Sequence, residues 1–295
     1  MGVSMAIGLA TPERAEAKLA KTPDMHVNWI SSIPFLALHG LALFGVLMWW
    51  DNRKAWVLLA VSFFVRMFFL TGGYHRYFSH KSYKLNRFSQ FVFAFAGTTA
   101  AQKGPLWWAA HHRNHHRFSD ADGDVHSPKL GFWWSHVGWI LCDKYGDTEW
   151  DRIPDLAKYP ELVWVNKWNM IGPWALAIFS FLYAGLPGLF IGFFASTVLL
   201  WHGTFTINSL AHVWGRRRYA TSDTSRNNWF LALFTGGEGW HNNHHHYMYS
   251  ARQGFYWWEY DTTFYTLWLL AKIGIVRELR GVPREKRESD LIKPA

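Results

Sequence analysis

Residues 168–215 read WNMIGPWALAIFSFLYAGLPGLFIGFFASTVLLWHGTFTINSLAHVWG, 48 positions without one Asp, Glu, Lys or Arg. A helix crosses the hydrocarbon core of a bilayer with about 20 apolar residues, so this run is long enough for two crossings. Its one interruption, Ala184-Gly185-Leu186-Pro187-Gly188, has the composition of a tight turn. A soluble fold with four buried helices would have to house the whole run in the core of a 295-residue chain. Apolar runs of this length argue instead for membrane spans.

Two more runs lie upstream. Residues 27–50 carry no charge, and residues 55–71 carry one, Arg66. The pattern predicts an all-α integral membrane protein with four transmembrane helices in two hairpins, at about 30–50, 55–73, 170–185 and 188–210. Three basic residues precede the first span, 12 lie between the hairpins and 12 follow the last span. Two hairpins place all 27 of these on one side, with both termini, and the positive-inside rule makes that side cytoplasmic. The expected layout is one domain over 1–295. It has a cytoplasmic N-terminal segment (1–27), a first hairpin (28–73), a helical cytoplasmic cap (74–168), a second hairpin (169–212) and a further cap portion (213–295). Arg66, a charge inside a span, is costly there and is expected to pair within the bundle.

Composition narrows the chemistry. Sixteen residues are His, 20 are Trp and one, Cys142, is Cys. A disulfide within the chain is excluded, and so are thiolate-held zinc fingers and iron–sulfur clusters. The mean hydropathy of −0.09 looks soluble only because it averages an apolar half with a basic half.

The histidines gather near the cytoplasmic ends of the expected spans. They are His75 and His80, then His112, His115 and His116, then His212, then His241, His244 and His245. Positions i, i+3 and i+4 share one face of a helix, so each triplet points one way. The spacing of five between His75 and His80 fits a helix end followed by a turn. Nine imidazoles are too many for one centre, and two metals with four and five each is the natural division. Neutral imidazole suits iron, zinc, copper and nickel. The other seven, His26, His39, His111, His126, His136, His202 and His246, read as structural. Asp120, Asp122, Asp124 and Glu238 are candidates to orient the ligands from outside.

At these residues the chain resembles the membrane fatty-acid desaturases, in particular the stearoyl-CoA (acyl-CoA delta-9) desaturase-like branch. The resemblance rests on His75-Arg76-Tyr77-Phe78-Ser79-His80, His112-Arg113-Asn114-His115-His116, Asn208-Ser209-Leu210-Ala211-His212 and 237–245, GEGWHNNHH. It extends through the flanks Thr71-Gly72-Gly73-Tyr74 and Arg117-Phe118-Ser119-Asp120. It implies an oxygen-dependent enzyme that inserts a cis double bond, usually at delta-9, into a saturated acyl chain. It further implies that the nine histidines bind two Fe ions, with Zn possible in purified protein, and that Asn208 holds a metal-bound water. Trp108 and Thr204 are then placed at the bend of a substrate tunnel, and Met67 near its end. The implied partners are a fatty acyl thioester (CoA or acyl-carrier protein) or an acyl lipid, and a separate electron donor such as ferredoxin or a cytochrome-b-type carrier. The basic surplus is assigned to topology, membrane lipid and that carrier, with no role for nucleic acid. Two positions depart from the branch: Ala110-His111 replaces a charged pair, and Asn243 stands where an aromatic is common. The rival readings are a lipid hydroxylase on the same scaffold and a membrane metal transporter or sensor.

Overall fold

The helix of the second apolar run is capped by Asn52, whose side chain accepts the Ala55 amide at the start of α2, Arg53–Phe68. Before it, α1, Ile33–Met48, carries Pro34 in its first turn, where a missing N–H leaves no bond unmade. The computed structural model describes residues 19–293, which form helices, turns and isolated bridges but no strand. α2 widens directly into a π-helix, π1, over Phe69–Ser79. Between the apolar regions lie α3 (Arg87–Thr98), α4 (Pro105–Phe118), a short π-helix π2 (Trp134–Gly138), α5 (Pro154–Ala157) and α6 (Pro160–Lys167).

The 48-residue run forms α7 (Ile171–Pro187), π3 (Gly188–Ala195), α8 (Ser196–Asn208) and α9 (Leu210–Val213). Helical geometry fails inside it at the expected turn: Ala184 has φ −140° and Gly185 φ +64°, ψ −151°. Glycine takes that positive φ without a Cβ penalty. The chain folds back there, and π3 packs on α7. At Gly188 the approach is so close that a Cβ would stand 2.1 Å from the Ser180 carbonyl oxygen. The remaining helices are α10 (Trp229–Phe234), α11 (His241–His246), α12 (Thr262–Lys272) and α13 (Arg284–Glu288).

Two stretches, Arg53–Ser79 and Ile171–Val213, the second broken at Ala184–Gly185, are long and apolar enough to cross a membrane, and Ile33–Met48 is apolar but shorter. α1 and α2 both pack on π3, and α2 also packs on α8, so the apolar helices form one bundle. Its outer surface exposes Leu43, Leu47, Val57, Val61, Ile178 and Leu182. An apolar patch of that extent is stable against lipid, not against water.

Arg66 is buried inside this bundle, but it bonds to hydroxyls and carbonyls, not to a carboxylate. Its guanidinium donates to Thr197 Oγ1 at 2.7 Å, to the Ser196 hydroxyl, and to the Ser62 and Thr99 carbonyls at 3.2 and 3.3 Å. It thus ties α2 to α8 and to the turn after α3.

Candidate metal centre

The His75–His80 spacing has a different cause from a helix end with a turn. π1 makes i→i+5 bonds, and the His80 amide donates to the His75 carbonyl at 3.2 Å. The wider turn sets the two rings 4.8 Å apart, facing the same void. π-helical turns recur at functional sites for this reason.

The nine histidines come together in two groups. His75, His80, His112, His116 and His244 form one; His115, His212, His241 and His245 form the other. Each same-face triplet is therefore shared. His112 and His116 of α4 serve the first group and His115 the second, while α11 sends His244 one way and His241 and His245 the other. An i, i+3, i+4 set spans an arc wide enough to face two centres at once.

Within the groups the Nε2 atoms face one another. The separations are 3.0 Å for His75–His244, 2.8 Å for His80–His112, 2.9 Å for His116–His244 and 3.1 Å for His212–His241. Nitrogens held about 2.1 Å from one metal lie roughly 3.0–3.4 Å apart for right-angle to tetrahedral arrangements. The residues present therefore fit a metal in each group.

The outward Nδ1 atoms meet carboxylates. His75 donates to Glu238 at 2.5 Å, His115 to Asp124 at 3.0 Å, His212 to Asp120 at 3.2 Å and His245 to Asp223 at 2.7 Å. Such a bond fixes the tautomer that leaves the Nε2 lone pair facing inward. Three of the four outer carboxylates expected from sequence thus reach a histidine. Asp122 is exposed and does not, while Asp223, 22 residues before His245 and in no recognised motif, takes its place. Burial pushes His80, His112, His116, His241 and His244 well below the usual imidazole range, and neighbouring imidazoles add to it. These rings are neutral and ready to donate a lone pair. Burial would raise Asp120, Asp124 and Asp223, but their histidine partners hold all three below the usual carboxylate range.

Behind the first group stands a network that no spacing announced. Arg76 is fully buried and bonds Glu238 at 3.0 Å, Asp261 at 2.8 Å and the Ala251 carbonyl at 2.7 Å. Gln253 donates to Glu238 at 2.9 Å. Asn243 accepts from Asn227 and donates to Glu259 and the Gln253 carbonyl, which accounts for a polar residue there. Of the seven histidines read as structural, His39, His202 and His136 form a chain at 3.0 and 2.9 Å that ends on the Ser209 hydroxyl. His111 bonds the Trp107 carbonyl and His246 that of Lys286. His126 stacks on His115.

Two cavities reach the histidines. One of about 570 Å³ and one of about 40 Å³ share Trp108, His112, Thr204 and Asn208 in their walls. Met67 is buried and lines the smaller one.

The sequence profile of the fatty acid desaturases matches residues 54–273. An sn-2 palmitoyl-lipid 9-desaturase of Nostoc sp. (strain 36) is 34% identical over 285 residues, covering 94% of this chain and 96% of its own. An acyl-CoA C20 Delta5-desaturase of Anemone leveillei is 35% identical, over 91% of this chain and 85% of its own. An sn-1 stearoyl-lipid 9-desaturase of Anabaena variabilis is 34% identical, over 89% of this chain and 97% of its own. The chain belongs to the fatty acid desaturase family. It is accordingly an oxidoreductase that desaturates a fatty acyl substrate, and the family implies a metal centre.

Proposed function

We propose that the protein inserts a cis double bond at the delta-9 position of a saturated acyl chain, through two irons held by the nine histidines. The observation that carries this reading is the pair of five- and four-imidazole groups, with facing Nε2 atoms, at the wall of an apolar cavity. Two of the relatives cited above are named as 9-desaturases and one as a Delta5-desaturase. Bound iron would supply the oxygen activation that no side chain can, since an unactivated methylene is beyond acid–base chemistry. The protein's own part is placement. Trp108 stacks on His112 at 4.8 Å and walls the cavity beside the ligands. Thr204 lines both cavities, and its hydroxyl is held by Gln102 and by the Leu200 carbonyl. Asn208 lines both cavities, which supports its assignment as the residue that holds a metal-bound water. Zinc would be accepted by the same imidazoles.

The proposed topology is four spans in two hairpins, with both termini and the histidine groups cytoplasmic and all of 1–295 forming one desaturase domain. Electrons arrive from a separate carrier of the ferredoxin or cytochrome-b type, docking on the basic cytoplasmic face.

The test is expression in a host of known fatty-acid profile, followed by mapping of double-bond position and head group. New cis delta-9 acyl chains are expected. A hydroxy acid as the main product would place the protein among the hydroxylases instead. Met67→Ala in the same host is expected to lengthen the accepted acyl chain, because it removes a buried, bulky side chain from the wall of the smaller cavity. An unchanged product profile would remove Met67 from that role.

A further inference from the structure

α8 ends at Asn208, and the turn after it is not a regular helix. Ser209 has φ −110° and ψ −72°, and the His212 amide donates to the Ser209 carbonyl at 3.1 Å, one residue short of an α-helical bond. Such an i→i+3 turn winds tighter than an α-helix, so His212 is rotated relative to the face that Asn208 occupies. The break therefore sets the angle between a member of the four-imidazole group and the residue assigned to the metal-bound water. It also leaves the Asn208 carbonyl outside the α-helical ladder, in need of another donor.

π2 grips this break with two consecutive residues. The Ser135 hydroxyl donates to the Asn208 carbonyl, and His136 Nδ1 stands 2.9 Å from the Ser209 hydroxyl. Ser135, His136 and Ser209 are all buried. The imidazoles behind His136 fix which way its bond runs. His39 Nδ1 lies 2.8 Å from the Phe35 carbonyl, which can only accept, so that nitrogen carries the proton. With every ring neutral, His202 then donates to His39 and His136 donates to His202, which leaves His136 Nδ1 to accept the Ser209 hydroxyl. The reverse order would set the Nε2 lone pairs of His39 and His202 against each other at 3.0 Å. Ser209 has a second acceptor, the Phe205 carbonyl at 2.9 Å. Its proton therefore keeps a place in its own helix when the His136 bond is lost, and what that loss changes is the geometry of the break.

We propose that Ser135 and His136 are positioning residues of the metal site, holding the α8–α9 break so that Asn208 and His212 stand at their required angle to the four-imidazole group. The inference rests on the two-metal reading and adds to it two residues that belong to neither imidazole group. Asp120 and Thr224 fix the outer end of the His212 ring, and π2 fixes the backbone from which that side chain springs. His39 and His202 act one step further back, by fixing the tautomer of His136 from inside the bundle.

The test uses the full chain in detergent, stripped of metal and titrated with cobalt(II) against a competing chelator, so that it reads metal affinity without any turnover. Two substitutions at one position separate the two bonds of His136. The amide of His136→Asn stands where Nδ1 does and keeps the bond to Ser209. The amide of His136→Gln stands where Nε2 does and keeps the bond to His202. Each variant loses one hydrogen bond, so a purely structural role would move both alike. His136→Gln is expected to weaken one of the two ions about tenfold or more, and His136→Asn to leave both within about threefold of wild type. Ser135→Ala is expected to weaken the same ion, and it decides the matter if His136→Gln does not accumulate. Added to His241→Ala, which already empties the four-imidazole group, His136→Gln is expected to remove no further metal. Equal losses in His136→Asn and His136→Gln, no loss in His136→Gln, or further loss in the His241→Ala background overturns the inference. A wild type that binds fewer than two cobalt ions per chain would overturn the two-metal reading, and the inference with it.

Discussion

His241→Ala is expected to lower bound metal from two ions per chain to about one and to reduce desaturation on the order of 10³-fold or more. The reason lies in what surrounds this ring. Its Nε2 stands 3.1 Å from that of His212, in the four-imidazole group, and its Nδ1 meets no partner among the described residues. Removing His212 or His245 would strand Asp120 or Asp223 as a buried carboxylate, and the loss of activity would be mixed with a loss of stability. Removing His241 strands nothing. It leaves three imidazoles where four stood and does not touch the five-imidazole group. Metal per chain by mass spectrometry and product by gas chromatography read the two effects separately. A variant that keeps two metals, or stays within about tenfold of wild-type turnover, would show that His241 is not a ligand. Asp120→Asn makes the graded comparison. It keeps a hydrogen-bond acceptor for His212 but loses the charge, and an effect of about 10–100-fold is expected of such an outer partner.

The comparison with His241 also shows how far the primary structure could be read. The four groups of histidines announced themselves because helix phase and ligand requirements impose the same spacing. The turn at 184–188 was legible because Gly and Pro interrupt a run that is otherwise apolar. The gathering of the nine histidines into groups of five and four was also legible, but not which ring belongs to which group. That partition depends on how α4 and α11 are rotated against each other, and rotation is a property of packing, not of spacing. The π-helical turn at 75–80 was out of reach for a related reason. An insertion that widens a helix leaves no mark on its own residues, and a spacing of five reads equally well as the end of a helix. Asp223 lies in 220–226, ATSDTSR, an ordinary loop composition, and only the fold brings it to His245. Arg66 reads as a charge to be paired within the bundle, but its partners are hydroxyls and carbonyls, one from its own helix and the others from α8 and the turn after α3, which no local pattern announces.

Arg76→Leu is expected to destabilise the protein by about 3–5 kcal/mol, because removing one member of a buried ionic group leaves the others unpaired. Arg76 sits inside the first histidine motif, one residue after His75. The structure buries it against two carboxylates, with 1% of its surface exposed. Leu in its place would leave Glu238 and Asp261 facing each other across a void of about the guanidinium's size. Asp261→Asn alone should cost less, since Asn keeps one oxygen to accept the Phe264 amide at the start of α12. Combining Arg76→Leu with Asp261→Asn should recover part of the loss, because the second change removes one of the stranded charges. Unfolding midpoints of the three variants in detergent give the coupling, and effects that simply add would show that the Arg76–Asp261 pair holds nothing together. The same variants carry a second readout. Glu238 bonds Arg76 with one carboxylate oxygen and His75 with the other, so the guanidinium sets where the carboxylate stands and thereby how the His75 ring is aimed. Arg76→Leu is therefore expected to weaken metal binding in the five-imidazole group while the four-imidazole group stays loaded. His241→Ala should do the reverse. The two variants together would assign each metal to its group.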